Sequence, residues 1–209
     1  MTRLAILDLD GTLLDTLDDL AASVNAALAQ VGLPPRQRLE IERFVGDGAR
    51  NLLARAVAPR PELLEPALAA WWVHYRAHCL ERTRPFPGIP ELLTRSGRRL
   101  AVHTNKPGSL ARQIFAGLGL LDRFAIVTGG DGAPRKPDPA GTLAIMRRLG
   151  ARASDTVFIG DSPTDVRTAR GAGVRLVGVG WGFRPEAELR AAGAVTVVQT
   201  VAELAPWLA

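Results

Sequence analysis

Asp8 and Asp10 end the apolar run Leu4-Ala5-Ile6-Leu7, with Leu9 between them and Gly11-Thr12 directly after. Side chains on a strand alternate faces, so two acids spaced by two point the same way. Left uncompensated they repel, and one holds its proton above the usual carboxylate range unless a cation lies between them. Oxygen donors in that arrangement suit a hard divalent cation, Mg²⁺ above others. An Asp-x-Asp pair alone fits a solvated turn equally well, because acids are common in turns. The rest of the chain supplies further groups: Thr104-Asn105, then Asp161 and Asp165, each just past a short apolar run. Of 26 basic residues only Lys106 and Lys136 are lysine. Lysine offers a compact ammonium with movable donors where arginine offers a rigid fork. Together these residues describe a site with acids for a metal, a hydroxyl, unpaired backbone donors at turns and an ammonium.

These groups need elements that bring them to one place. Leu4–Leu7, bounded by turn residues, reads as a buried strand, central in a parallel sheet. Leu17, Leu20, Ala21, Val24, Leu28 and Val31 repeat at helical spacing, with Asp15 or Thr16 as cap and Gly32 and Pro34-Pro35 as the stop. Further helices are expected near Arg38–Phe44, over Ala49–Ala58 after the Gly46-Asp47-Gly48 turn, and from Pro61 through Trp71, Trp72 and Leu80. The stretch from Thr16 to Arg82 shows no strand pattern, and it is far longer than a βαβ crossover needs. It reads as a helical domain inserted after the first strand, which divides the chain into a core of residues 1–15 and 84–209 and a helical insert of residues 16–83.

Beyond Arg84-Pro85-Phe86-Pro87-Gly88 the pattern alternates. Helices are expected at Pro90–Arg95, Ser109–Leu118, Ala140–Leu149 and Thr164–Ala172, and strands at Arg99–Thr104, Phe124–Thr128, Thr156–Ile159, Arg175–Val179 and Ala194–Val198. That alternation predicts a Rossmann-like α/β fold, a parallel sheet with helices on both faces. Parallel strands bring their carboxyl ends, and with them the polar groups above, to one edge, where open α/β sheets bind ligands.

With 209 residues and 47% hydrophobic content, the chain can form one core and a small second domain. Cys79 is the sole cysteine, so no intrachain disulfide forms. The run after Met1-Thr2-Arg3 is too short for a signal peptide and no stretch is long enough for a membrane span, so a cytoplasmic protein is expected. The net charge of +5 is scattered rather than gathered into a run, which argues against nucleic acid as partner. A monomer or homodimer is expected.

Four segments taken together resemble the haloacid dehalogenase-like hydrolase superfamily: Asp8-Leu9-Asp10-Gly11-Thr12-Leu13, Thr104 at a strand end, Lys136-Pro137-Asp138-Pro139, and Gly160-Asp161-Ser162-Pro163-Thr164-Asp165. Their order, their spacing and the helical insert agree with it, across essentially the whole chain. The resemblance implies a Mg²⁺-dependent phosphatase in which Asp8 attacks phosphorus to form an aspartyl-phosphate. Asp10 would act as general acid and then general base. Asp8, the Asp10 backbone carbonyl and Asp161 would hold Mg²⁺. Thr104 and Lys136 would bind phosphoryl oxygens, joined by backbone N–H groups near Asp10–Gly11 and at Asn105. Asp165 would position Lys136 or complete the outer shell of the metal.

Within the superfamily, Phe44-Val45-Gly46-Asp47-Gly48, Thr104-Asn105-Lys106-Pro107 and Gly129-Gly130-Asp131 resemble the phosphoglycolate phosphatase group, in which Thr16 is often Ser. This makes a small phosphorylated metabolite the expected partner, with a positive contact from the insert to its carboxylate. Arg43 and Arg50, flanking the Gly46–Gly48 turn, are candidates for it, although either also fits plain surface charge. Lys106 fits either positive potential at the mouth of the site or a helix start. His74 and His78 have the spacing of a metal pair but lack a third ligand, so packing is expected of them. His103 and Cys79 are expected in the interior, Trp71 and Trp72 to pack the insert, and Trp181 to border the site. Rival readings are a phosphatase for a sugar phosphate, nucleotide or pyrophosphate, a phosphomutase of the same fold, and a phosphate-binding regulatory module without turnover.

Overall fold

The computed structural model describes residues 3–132 and 134–209; Met1 and Thr2, within the first expected core range, and Ala133 lie outside it. Among the described residues, six parallel strands form the main sheet: β1 (Leu4–Leu7), β4 (Arg99–His103), β5 (Ile126–Thr128), β6 (Thr156–Gly160), β7 (Arg175–Val179) and β8 (Val197–Val198). Their order is β5-β4-β1-β6-β7-β8. Chain order therefore reverses direction across the β1–β6 boundary, which makes that boundary the place where such sheets open a ligand crevice.

The alternation of side chains along β1 fills two cores. Leu4 and Ile6 face the layer of α7 (Ala140–Leu149) and α8 (Pro163–Gly171), packing with Phe158, Ile145, Met146 and Ala169. Ala5 and Leu7 face the layer of α5 (Ile89–Arg95), α6 (Gly108–Gly117) and α10 (Val201–Leu208), with Leu92, Ile114, Phe115 and Leu204. All four β1 residues are fully buried, as a central strand of a two-sided parallel sheet requires. A short helix, α9 (Glu186–Ala191), completes the core through Leu189.

Between β1 and β4 lie α1 (Leu17–Gln30), α2 (Arg38–Phe44), α3 (Ala49–Val57) and α4 (Leu64–His78), the inserted helical domain. Pro61 opens a 3-10 turn, Pro61–Leu63, that leads into α4 rather than forming the first turn of the helix itself. The linkers into and out of the insert pair as a small antiparallel ribbon, β2 (Leu14–Asp15) with β3 (Arg84–Pro85), which two-residue segments do not announce in sequence. Asp19, buried on α1, accepts hydrogen bonds from the Arg82 and Thr83 N–H groups and from Thr83 Oγ1, tying the first helix of the insert to the return linker. Both expected cap residues stand at the start of α1, with Thr16 in the N-cap position. The Asp15 carboxylate accepts from Leu17 N at 3.2 Å, while the Thr16 hydroxyl makes no cap bond and turns to Asp10. Among the described residues no helix is long and apolar enough to cross a membrane.

Candidate active site

The acids sit where β1, β6 and their neighbours end. Asp8 follows β1, and its N–H still continues the ladder to Ile159 O at 2.9 Å. Asp161 follows β6, and Thr104 follows β4, with its N–H on Thr128 O at 3.0 Å. Carboxylate oxygens of Asp8, Asp161 and Asp165 lie within 4.8 Å of one another, all three buried. Close backbone approach makes this possible. Gly11 has φ +78, and a Cβ there would come within 2.3 Å of Asp161 Oδ2, so neither its conformation nor its space admits a side chain. A Cβ on Gly160 would stand 2.3 Å from Asp165 Cγ.

Lys136 enters this cluster from the loop before α7. Its Nζ donates to Asp165 Oδ1 at 2.6 Å and contacts Asp8 Oδ2 at 2.9 Å. The other Asp165 oxygen accepts from the Ser162 N–H and hydroxyl at the start of α8, so both oxygens of Asp165 have protein partners. Burial works against the Lys136 charge, but Asp165 and Asp8 outweigh it and hold the ammonium above its ordinary range. Asn105 fixes the loop. Its Nδ2 donates to Lys136 O at 3.0 Å and to Gly46 O of the insert at 2.9 Å, and its Oδ1 accepts from Lys136 N at 2.8 Å. A single amide thus joins three segments distant in sequence.

Asp10 turns away from the three clustered carboxylates. Its Oδ1 accepts from Thr16 Oγ1 at 2.5 Å and pairs with Lys106 Nζ at 3.0 Å. Lys106 also donates to Tyr75 OH on α4 at 2.9 Å. Burial pushes its ammonium toward neutrality, and Asp10 and Tyr75 more than offset that. Neither oxygen of Asp161 is idle: Thr12 Oγ1 donates at 2.9 Å and the Phe183 N–H at 2.9 Å. Even so, burial, Asp165 and Asp8 push Asp161 up to about 8, and burial pushes Asp8 up to about 6 against the pull of Lys136.

Four carboxylates thus face two ammonium groups. The deficit of positive charge, the raised Asp8 and Asp161, and a donor set made only of oxygen all fit a hard divalent cation. Asp8, Asp161 and Asp165 are the carboxylates that could hold it.

Asp8, Asp10, Thr104, Asn105 and Lys106 line a cavity of about 30 Å³, closed over by Leu20, Val45, Leu52 and Trp71 of the insert. Arg50 is not brought there: it is exposed and pairs with Glu65. Arg43 lies at a separate outer cleft with Arg55 and Arg167. Arg184 does link the two domains: its guanidinium donates to the carbonyls of Glu42, Arg43 and Val45 at the end of α2. Its neighbour Phe183 supplies the N–H on Asp161. Nothing in the spacing of this arginine-rich chain singled Arg184 out.

Trp181 Nε1 donates to Thr12 O at 3.2 Å, bracing the turn after Asp10. His103 is buried on the opposite side of β4 against Thr142 and Phe158, and burial drives its pKa to about 3. That leaves it a neutral packing group. His74 and His78 stack on each other, with Ser23 and Glu81 as their respective partners. Trp71 packs the insert as expected, stacked on Tyr75, and also forms part of the cavity wall.

Residues 5–179 match the family model described as haloacid dehalogenase-like hydrolase. The chain is 39% identical to the phosphoglycolate phosphatase of Rhodospirillum rubrum, over 100% of this chain and 91% of that protein. It is 40% identical to the phosphoglycolate phosphatase of Agrobacterium fabrum, over 88% of this chain and 82% of that one. Among solved structures, a predicted phosphoglycolate phosphatase from Haemophilus somnus superposes with a TM-score of 0.92 at 28% identity, covering 99% of this chain and 97% of that one.

Proposed function

This chain belongs to the haloacid dehalogenase-like hydrolase family, and on that premise we propose that it is a Mg²⁺-dependent phosphatase acting through an aspartyl-phosphate on Asp8, with phosphoglycolate as substrate. The observation that carries this reading is the division of the acids into two environments. Asp8 lies in the oxygen cluster beside Lys136, and Asp10 stands apart on the wall of the same cavity with Thr16 and Lys106. Two carboxylates in different surroundings can take different roles, one as nucleophile and one as acid and base.

In the first step an Asp8 oxygen attacks phosphorus, the P–O bond to the ester oxygen breaks, and Asp10 delivers its proton to the departing alkoxide. In the second, Asp10 takes a proton from water, whose oxygen attacks the same phosphorus. The bond to Asp8 breaks, and inorganic phosphate leaves. Lys136, held between Asp165 and Asp8, binds the phosphoryl oxygens in both steps, joined by the Thr104 hydroxyl. Mg²⁺ held by Asp8, Asp161 and the Asp10 carbonyl would neutralise phosphoryl charge and align nucleophile with ester.

Residues 16–83 act as a cap over residues 1–15 and 84–209. Leu20, Val45, Leu52 and Trp71 of the cap line the same cavity as Asp8 and Asp10, so an outward shift of the cap helices would admit a phosphate ester and their return would exclude bulk water.

The test is phosphate release from phosphoglycolate and a panel of sugar phosphates, nucleotides and pyrophosphate, with EDTA and with excess Mg²⁺. Release that stops with EDTA and returns with Mg²⁺, and that Asp8→Asn abolishes, is the expected result. Substantial turnover by Asp8→Asn would refute attack by Asp8. A clear preference for another panel member would displace phosphoglycolate.

A further inference from the structure

The cavity wall on the Asp10 side carries donors that the phosphoryl chemistry leaves unused. Lys106 is 5% exposed and Trp71 1% exposed, and both line the cavity. An ammonium has three donors. Lys106 uses two, on Asp10 Oδ1 and Tyr75 OH. The indole Nε1 of Trp71 is buried and has no hydrogen-bond partner. A buried donor left without an acceptor is costly, so an orphan of this kind on a residue that lines a cavity marks a place for an acceptor. The two groups are held together: the Trp71 ring stacks on Tyr75 with centroids 4.8 Å apart, and Tyr75 OH receives the Lys106 bond. The arginines at the Gly46–Gly48 turn do not reach this wall. Lys106 is the cation among its lining residues.

We propose that Lys106 and Trp71 form a second anion subsite, which binds a carboxylate on the substrate and selects small phosphate monoesters that carry one. The assignment deepens the phosphatase reading above and rests on it. A carboxylate fits because its two oxygens can take one bond from the remaining Lys106 N–H and one from the Trp71 N–H. A second phosphoryl group brings three oxygens and more charge to a wall that also carries the Asp10 carboxylate and the apolar Leu20, Val45 and Leu52. Lys136 and Lys106 then divide the substrate, the first holding the group that reacts and the second the group that identifies it.

The experiment compares kcat/KM for phosphoglycolate with that for 2-hydroxyethyl phosphate, in which a hydroxymethyl group replaces the carboxylate. The wild-type protein should favour phosphoglycolate. Lys106→Gln, which keeps a polar partner for Asp10, should lower that ratio about 10- to 100-fold, the range of one hydrogen bond between charged groups. Trp71→Phe keeps the ring stack and removes only the N–H, and should lower the ratio about 3- to 10-fold. It carries the test if Lys106→Gln gives no cooperative melt. A ratio unchanged in the variants overturns the subsite. Wild-type protein that hydrolyses both esters equally well overturns it too while leaving the phosphatase reading standing. Release of phosphate from no ester overturns that reading as well.

Discussion

Lys136 is held from two sides at the site. Its ammonium touches Asp165 at 2.6 Å and Asp8 at 2.9 Å with almost no exposure. A guanidinium is planar and wider, and could not reach both acids from that position without displacing one. Lys136→Arg should therefore lower kcat by about 10²-fold or more, on the scale of losing a positioned charge donor, although net charge is unchanged. A near-normal rate in a steady-state phosphate-release assay would show that charge alone suffices. The scarcity of lysine pointed to Lys136 and Lys106 because a rare residue type locates itself. Arginine could not do this: with so many in the chain, the type announces anion recognition without saying where. Arg50, expected near the substrate, lies outside with Glu65, and Arg184 holds the cap. For Asp165 the sequence left two roles open. Its oxygens, taken by Lys136 and Ser162, favour the one that positions Lys136.

At the scale of elements, one contact fixes the end of the insert to its first helix and another ties the insert to the core. Asp19 gathers the Arg82 and Thr83 donors around one buried carboxylate. Asp19→Ala leaves those donors buried without an acceptor and should cost about 1–3 kcal/mol of stability, read as a lower urea midpoint; an unchanged midpoint would contradict the role. Arg184 donates to the Arg43 and Val45 carbonyls and shares the Glu42 carbonyl with the Val45 N–H, and its cation suits the negative end of that helix. Its attachment to the Phe183 loop that also touches Asp161 links cap position to the acid cluster. Arg184→Leu should loosen the closed state, raising the KM for a small ester about 3- to 10-fold and speeding proteolysis between α2 and α3. Unaltered KM and cleavage would mean that other contacts hold the cap. Helical spacing of apolar residues announced α1, and turn and proline signals announced α3 and α4. The β2–β3 ribbon was silent, because two residues carry no period.

For the molecule as a whole, the acid cluster sets a pH dependence. Asp8 and Asp161 ordinarily titrate near 3.8, and the fold raises them to about 6 and about 8, chiefly through burial. Between those limits the folded state keeps protons that the unfolded chain has released, so stability falls as pH rises. A bound divalent cation reverses the balance, because it needs the ionised carboxylates. Protein treated with EDTA should therefore melt at a lower temperature at pH 8 than at pH 5. The increment in melting temperature from Mg²⁺ should be larger at pH 8. A metal-free melting temperature that climbs over this range would contradict the raised values.

The sequence by itself determined the parallel α/β sheet, the position of the helical insert and the strand ends that carry acids, because hydrophobic period and turn residues are local properties. It also marked Asp8, Asp10, Thr104, Lys136 and Asp161 as groups that belong together. Tertiary structure alone decided which wall each occupies: Asp10 on Lys106 rather than on Lys136, Asn105 joining three segments, and Trp71 with an indole N–H left over at the cavity. Those relations join residues dozens of positions apart, and their distances follow from how the helices close on the sheet, which no local pattern encodes.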